Sequence, residues 1–411
     1  MLSVNDALAL VLAEAMPGVP ETVSLTEALY RVLANDLATP HDSPPFDKAL
    51  MDGFAVTTAA LVSDRPIIEL SVTETVTAGR VPANRVTKTT AVRIMTGALL
   101  PAGCDCVVPV ERCQFDEATP QSVAIPRAEI FAEANLMRQG GAAQRGTPLL
   151  NAGTRLQPQH IAALAEFGQA HIEVYVRPQV AVLATGDELV AFDAPLRAGA
   201  IRNSNEPMLV AQVMSSRAVP VSLGVAQDTV DDLKKQIHLG LQHDVLLLSG
   251  GVSAGTLDLV PRELSSAGVE CVFHGVDMKP GKPLWFGTVQ QGSRKTLVFG
   301  LPGNPVSSLV CFELFVRSSL RKISGMEHPP APPLTARLTH PFLVKGNRPV
   351  FQPAAISVSE GQLVVRPVPW NGSSDLKATV EANGMALMSP TRGRYNDGDI
   401  IPVWYWGGDT C

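Results

Sequence analysis

The chain is poor in paired cysteines. Six are spread over 411 residues, at Cys104, Cys106, Cys113, Cys271, Cys311 and Cys411, and none forms a C-x-x-C pair. Without a second cluster to complete a site, zinc-finger spacing is excluded and the thiols read as small apolar side chains in a reduced compartment. Cys104 and Cys106, two apart, would share a face if both lay on a strand. The eight histidines include no H-E-x-x-H. No apolar run approaches the ~20 residues of a membrane span. The run Ala7–Ala13 is preceded by Asp6, followed by Glu14 and lacks a basic flank, which excludes a signal peptide. Basic excess is missing too: the net charge is −6 and the pI about 5.8. A general nucleic-acid binder is thereby excluded, and an anionic substrate must be met by local donors. Neither internal repeats nor long low-complexity segments occur. The expectation is a soluble, cytoplasmic protein with no nucleic-acid and no membrane partner.

Apolar residues make up 45% of the chain and charged residues 18%, enough to fill large cores. At ~100–200 residues per domain, this length predicts two to four domains. Ser3 can cap a first helix with a stripe of Val4, Ala7, Leu8, Val11 and Leu12. Ser24-Leu-Thr-Glu27 reads as a capping box for a second, carrying Leu25, Ala28, Leu29, Val32 and Leu33. From about 46 to 145, short β-type runs are punctuated by Gly and Pro, as in Ile67–Val72 and Cys106–Val110. Residues 154–170 look helical again. If they pack back on the N-terminal helices, the β-rich module is an insertion.

Beyond 175 the texture changes to strands alternating with helices. Val180–Ala184 and Asp244–Leu248 are continuous apolar runs, suited to burial on both faces of a parallel sheet. Helices are expected near 205–218, 229–241 and 305–321, with strands at 269–274, 284–289 and 296–300. This order predicts a doubly wound α/β sheet. A proline-rich linker (Pro329, Pro330, Pro332, Pro333) leads into alternating strand-like runs. The full reading is multidomain α/β and β: a helical N-terminal and linker domain (1–45 with 146–174), a β-rich inserted domain (46–145), a doubly wound α/β domain (175–328) and a small barrel-like all-β domain (329–411).

Three turns follow predicted strands of that sheet, where doubly wound folds bind ligands. Asp187 and Glu188 in Thr185-Gly-Asp-Glu188 can hold a divalent cation or bond a heterocycle's N–H groups. In Ser249-Gly250-Gly251-Val-Ser253, with Asp258 close by, glycines let backbone N–H groups approach a phosphate and hydroxyls add donors. Leu301-Pro302-Gly303-Asn304-Pro305 ends a strand and opens a helix. Between the last two, Lys279-Pro-Gly-Lys282-Pro283 offers two lysines to an oxyanion. Its spacing is not that of a Walker A loop, and Pro283 stands where the hydroxyl residue would be. Each turn alone could serve only as a strand-to-helix connection. Together on one rim they point to a phosphate-bearing ligand.

These segments, taken with Phe46-Asp47, Met51-Asp52-Gly-Phe-Ala-Val56, Arg93-Ile-Met-Thr96-Gly-Ala98 and Asn203-Ser-Asn205, form a series that resembles the MoeA-type molybdopterin molybdenumtransferases, a family shared with the gephyrin C-terminal domain. The resemblance spans nearly the whole chain. It implies a transferase of molybdenum cofactor biosynthesis that inserts molybdate into adenylyl-molybdopterin, uses Mg²⁺ and releases AMP. It also implies a homodimer with a cleft shared between subunits, and contacts with other proteins of the cofactor pathway. Carried over, Asp52, Thr96, Asp187, Glu188, Lys279 and Lys282 would be catalytic. Arg138, Asp228, Ser249, Gly250, Gly251, Ser253, Asp258, Pro302, Gly303 and Asn304 would bind the pterin nucleotide. Asp52, Asp187 and Glu188 would hold the metal, and Asp52 and Thr96 would act from the partner subunit.

Two stretches depart from the family pattern. Lys48-Ala49-Leu50 stands where the family has Asn-Ser-Ala. Asn135–Ala142 keeps Arg138 and Gly140 but lacks the Glu-Asp pair of an Arg-x-x-Gly-Glu-Asp segment. The lost carboxylates give one alternative its footing, a divergent paralogue acting as a molybdopterin-binding carrier or scaffold; the sheet domain, shared within the pathway, gives a second, an adenylyltransferase. The additional domains and the Met51-Asp-Gly53 and Arg93–Ala98 segments argue against the second.

Overall fold

Every residue of Val245–Ser249 is buried, and Val180–Thr185 likewise. The computed structural model, which describes residues 1–62, 64–251, 259–326 and 333–406, shows why. Both runs are central strands of a six-stranded sheet: β1 (Gln179–Thr185), β2 (Val219–Ala226), β3 (Val245–Ser249), β4 (Glu270–His274), β5 (Trp285–Gln291) and β6 (Arg294–Leu301), in the order β2-β1-β3-β6-β5-β4. The first four in that order run parallel, with Val180 opposite Val245 and Val245 opposite Leu297. β5 and β4 are antiparallel, a hairpin edge on the parallel sheet.

Alternate residues of these strands feed two cores. Val180, Val182, Val245, Leu247 and Phe299 pack with α1 (Val4–Glu14), α2 (Asn205–Ser215) and the helix starting at Pro305. Ala181, Leu183, Leu246, Leu248 and Val298 pack with α3 (Val230–Gly240) and α4 (Leu259–Ser266). Each fully buried Val, Leu or Phe contributes about 1.5–3 kcal/mol, so both sides of the sheet drive folding. The expected doubly wound architecture is present. The helix from Pro305 reaches Ile323 through a π-helical stretch, Phe312–Val316. Within it buried Glu313 accepts from Gln212 Nε2 at 2.8 Å and from Arg317 Nε at 2.6 Å.

The second N-terminal helix does not form. Ser24 and Glu27 do make the capping box, but it closes only a 3₁₀ turn, Leu25–Glu27. Tyr30 takes a positive φ of 64°. The backbone then pairs with distant segments: Tyr30 N donates to Leu156 O at 2.8 Å, Leu33 N to Thr154 O and Tyr175 N to Val32 O, both at 2.9 Å. Pro20–Ser24 is itself a strand, antiparallel to His171–Tyr175. The apolar residues expected on a helix, Ala28, Val32 and Leu33, are buried by this pairing instead. The N-terminal region is therefore mixed α and β rather than helical.

The C-terminal part is a closed five-stranded barrel: Leu334–Leu338, Gln362–Pro367, Val350–Ser359, Gly384–Met388 and Ile400–Tyr405. It is fastened to the loop after β4, because Lys279 N donates to Pro349 O and Phe351 N to Lys279 O, each at 2.8 Å.

The chain divides into two compact units. The elements above belong to Met1–Asn35, Ala152–Ala162 and Ala170–Cys411; the other unit is Asp36–Asn151 with Ala163–Gln169. In the latter, a five-stranded sheet is ordered Cys106–Pro109, Gly53–Val56, Thr90–Ile94, Ile67–Val76, Ser122–Pro126. Phe54, Val108 and Ile125 pack one core, and Ala55, Val92, Ile94 and Val107 another. Cys104 and Cys106 do not share a face: Cys106 opens a strand into the first core, while Cys104 precedes it and packs against the second. Burial pushes their thiols up to about 11 and about 12 respectively, which keeps them protonated and inert. Among the described residues no helix is long and apolar enough to cross a membrane.

Candidate active site

In a doubly wound sheet, a crevice opens where consecutive strands depart to opposite sides. Here β2 lies on one side of β1 and β3 on the other, so the carboxyl ends of β1 and β3 flank the switch point. A cleft of about 530 Å³ occupies it. Its walls come from Thr185, Gly186 and Glu188 after β1, Asp228 after β2, Ser249, Gly250 and Gly251 after β3, and Pro302, Gly303 and Asn304 after β6. These turns, separated by more than a hundred residues in sequence, are brought together as the sequence predicts.

Gly250 has a φ of 98°, and a Cβ there would meet Thr185 O at 2.7 Å. Only glycine lets the two strand ends lie this close. Asn205, at the start of α2, ties two of the turns together: its Nδ2 donates to Ser249 Oγ and to Gly303 O, each at 2.7 Å. Asn205 lines the cleft and is nearly buried. Its sequence signal was an asparagine-rich helix start, which gives no hint of this bracing role.

The two acidic residues after β1 are used differently. Glu188 lines the cleft. Asp187 is exposed, and its Oδ1 accepts from the backbone N–H of Asp228 at 3.1 Å. It thus fixes the turn that carries Asp228 into the wall. Ser253 and Asp258, also expected here, lie outside the described residues.

A second cavity, about 260 Å³, shares Pro283, Pro302 and Asn304 with the cleft. Lys279 and Lys282 line it, and both are exposed. Arg348, Ser307 and Ser373 line it as well. Three cations and two hydroxyls around one small cavity are the donor set for a tetrahedral oxyanion. Arg348 also approaches Asp277 Oδ1, at 3.7 Å. Arg348 and Ser373 carried no local motif, since each stands in a loop remote in sequence from the lysines.

In the other unit, Asp52 Oδ1 accepts from both Thr96 N and Thr96 Oγ1 at 2.7 Å. Those bonds, the hydroxyl first, together with the charge of Arg93, hold the Asp52 carboxyl below the usual carboxylate range. Two residues carried over by the resemblance are thus joined to each other within this unit. Arg138 is differently placed from expectation, because its guanidinium is already engaged. NH1 donates to Asp47 Oδ2 at 2.6 Å, Nε to Glu133 Oε2 at 2.9 Å, and NH2 pairs with Glu133. Its hydrogen bonds to Glu133 and then to Asp47 hold the Arg138 pKa above the usual guanidinium range. A substrate phosphate would have to compete with two carboxylates. Of the divergent residues, Ala49 is buried in the sheet core, and Lys48 pairs by strand register with Met137. Among the described residues, no group of three or more His, Cys, Asp or Glu side chains could hold a metal ion.

Against known proteins, residues 2–168 match the MoeA N-terminal region (domain I and II), residues 181–322 a probable molybdopterin binding domain, and residues 335–406 the MoeA C-terminal region (domain IV). A molybdopterin molybdenumtransferase of Bacillus subtilis is 34% identical over 407 residues, 98% of this chain and 93% of the relative. Molybdopterin molybdenumtransferase 2 of Mycobacterium tuberculosis is 36% identical over 394 residues, 94% and 95% of the two chains. The solved structure of a MoeA molybdopterin biosynthesis protein from Pyrococcus horikoshii superposes with a TM-score of 0.82 at 28% identity, covering 99% of this chain and 100% of that one. With all three regions matched in order and relatives aligned almost end to end, the chain belongs to the MoeA family of molybdopterin molybdenumtransferases.

Proposed function

We propose that this protein inserts molybdate into adenylyl-molybdopterin in the cytoplasm, releasing AMP. The observation that carries the reading is the joining of a glycine-lined strand-end cleft to a cavity ringed by Lys279, Lys282 and Arg348. Ser249, Gly250, Gly251, Gly303 and Asn304 receive the nucleotide and its phosphate, through backbone N–H groups and short polar side chains. Lys279 and Lys282 hold the incoming oxyanion beside it, helped by Arg348. Fixed cations in a preorganised cavity favour the charge that develops as the phosphate bond breaks. The carrier-or-scaffold alternative is not favoured, since the relatives are named as transferases.

Mg²⁺ belongs to the same proposal. Such a cation is bound by one or two carboxylates together with substrate phosphates rather than by an all-protein cage. Glu188 on the cleft wall, with Asp187 beside it, fits a cation that arrives with the nucleotide. Bound there, it would neutralise phosphate charge. A homodimer, in which Asp52 and Thr96 of one copy serve the partner's cleft, completes the reading. Arg138 then acts by holding its own loop rather than by touching phosphate.

The test is AMP release from purified adenylyl-molybdopterin with Mg²⁺, with and without molybdate. Molybdate-dependent release is expected. Tight substrate binding with no release in either condition would overturn the transferase reading.

A further inference from the structure

Two bulky residues of the sheet-bearing unit hold left-handed backbones and meet through their side chains. Arg217 has a φ of 61° and Tyr30 a φ of 64°. Arg217 is the residue after the C-cap of α2. Its N–H donates to Met214 O at 2.9 Å, and that of Ala218 to Val213 O at 3.2 Å. This is the pattern of a Schellman motif, whose left-handed position is usually glycine because a Cβ is disfavoured there. An arginine at that position is strained, so a contact of its side chain has to offset the strain. The guanidinium carbon of Arg217 lies 4.4 Å from the centroid of the Tyr30 ring, and that of Arg155 lies 5.4 Å from the same centroid.

The stack walls a cavity of about 30 Å³ that Arg317, Arg321 and Ser324 also line. Four guanidinium groups thus surround one small space, and no acidic residue lines it among the described residues. Arg317 is committed, paired with Glu313 and donating to Ser215 and Ser216. Arg155 and Arg321 have further bonds of their own. Arg217 is different: its side chain has no hydrogen-bond acceptor among the described residues. Stacking uses the face of a guanidinium and leaves its in-plane N–H groups to point beside the ring. The crowding of charge reaches Arg177 as well, whose pKa is held below the usual guanidinium range by desolvation first, then by the charges of Arg31 and Arg217. Like charges gathered at one place disfavour one another, and an anion among them relieves that. A water needs about 10–15 Å³ of such space, so this cavity has room for a compact ion and not for an organic phosphate ester.

We propose that the cavity beside Tyr30 is a site for a free tetrahedral dianion of the phosphate class. The planar fork of Arg217 binds two of its oxygens, Arg155 and Arg321 add positive charge, and the Ser324 hydroxyl is a further donor. The site shares no lining residue with the cavity of Lys279 and Lys282 or with the strand-end cleft. A bound ion ties the Tyr30 and Arg155 loops to the end of α2 and to the end of the helix that closes at Ile323. The first residue of α2, Asn205, braces the cleft, so the ion fastens the other end of the same helix. Phosphate, sulfate and molybdate share the shape and charge that this donor set recognises.

The test is thermal unfolding of the full chain carrying Lys279→Ala and Lys282→Ala, in which the other oxyanion cavity has lost its lysines. Phosphate, sulfate or molybdate is titrated against chloride at equal ionic strength, below roughly 20 mM, because such anions strengthen any fold at higher concentration. Each of the three is expected to raise Tm saturably, by roughly 1–3 °C, through binding to the folded state. Arg217→Gly, added to this background, has the residue that the left-handed backbone favours, so it folds at least as stably in chloride, yet it loses the anion-dependent rise. Arg217→Lys keeps the charge without the planar fork, and weakens the apparent phosphate affinity roughly tenfold, the size of one lost charged hydrogen bond. An equal rise in Arg217→Gly, undiminished affinity in Arg217→Lys, or no saturable response in the parent overturns the site. A response to molybdate with none to phosphate or sulfate also overturns it, since the donors read charge and shape and not the central atom.

Discussion

Lys279 and Lys282 present exposed ammonium groups to a cavity, whereas Arg138, in the other unit, has its guanidinium committed to Asp47 and Glu133. All three are cations in motifs that resemble one family's site. The difference lies in what else the local fold supplies. The lysines stand on a loop whose backbone is fixed to a barrel strand, so the loop is held without using the side chains. The segment around Arg138 is short of regular structure, and the side chain itself does the holding. A cation already neutralised by two carboxylates has little attraction left for a phosphate. Residue type alone therefore does not identify an anion ligand.

The largest effect should follow loss of the lysines. Lys279→Ala with Lys282→Ala removes two preorganised donors, each worth about 10²–10³ in kcat at comparable sites. Molybdate-dependent AMP release is expected to fall to background, with the fold intact by circular dichroism. Unchanged turnover would mean that the cavity is not where the oxyanion sits.

Next in size is Gly250→Ala. Its φ of 98° is strained for any L residue, at about 1–3 kcal/mol, and its Cβ would press on Thr185 O at 2.7 Å. The expected result is a lower Tm together with weakened AMP binding, because the same close approach that strains the alanine shapes the cleft. A normal Tm with normal AMP affinity would show that the turn relaxes freely, and that the strand ends need not lie so close.

How much of this was legible in the sequence divides along the same line. The strands Val180–Ala184 and Val245–Leu248 were evident because full burial on both faces leaves a continuous apolar run. The strand-end turns were evident because glycine and short polar residues are demanded there. Residues 28–33 misled because their helical spacing is real, yet their backbone partners are Thr154, Leu156 and Tyr175, which no local window contains. Arg348 and Ser373 were invisible for the same reason, entering the oxyanion cavity only through tertiary packing. Arg138 was visible as a cation, but its engagement depends on Glu133, which sits at a positive φ of 63° that spacing does not announce.

Arg138→Ala sharpens the comparison at smaller scale. Exposed ion pairs contribute little each, so kcat/KM should fall by less than about tenfold, far short of the dilysine effect. The loop it clamps should become more susceptible to limited proteolysis. A loss as large as that of the lysines would mean that the guanidinium leaves Asp47 and Glu133 for the substrate, and the contrast between the two regions would collapse.

The smallest effect concerns Asp52, which in that unit is bonded to Thr96. Thr96 donates twice to it and lowers its pKa. A carboxyl with a depressed folded-state pKa stabilises the fold above its unfolded pKa of about 3.9, and this contribution is lost as pH falls through the depressed folded value. Thr96→Val deletes the hydroxyl bond while keeping the backbone one. The Asp52 carbon resonance in NMR should then titrate closer to the ordinary value. The stability gap between wild type and variant should be full at neutral pH and close only in the acid range below the ordinary carboxylate pKa. The side chain is exposed, so the shift in Tm should be slight even where the titration moves clearly. An unmoved midpoint would show that the amide of Thr96 and the charge of Arg93 set the Asp52 charge without the hydroxyl. Asp52 would then be held, as Arg138 is, by the loop geometry of its unit rather than by a partner chosen for chemistry.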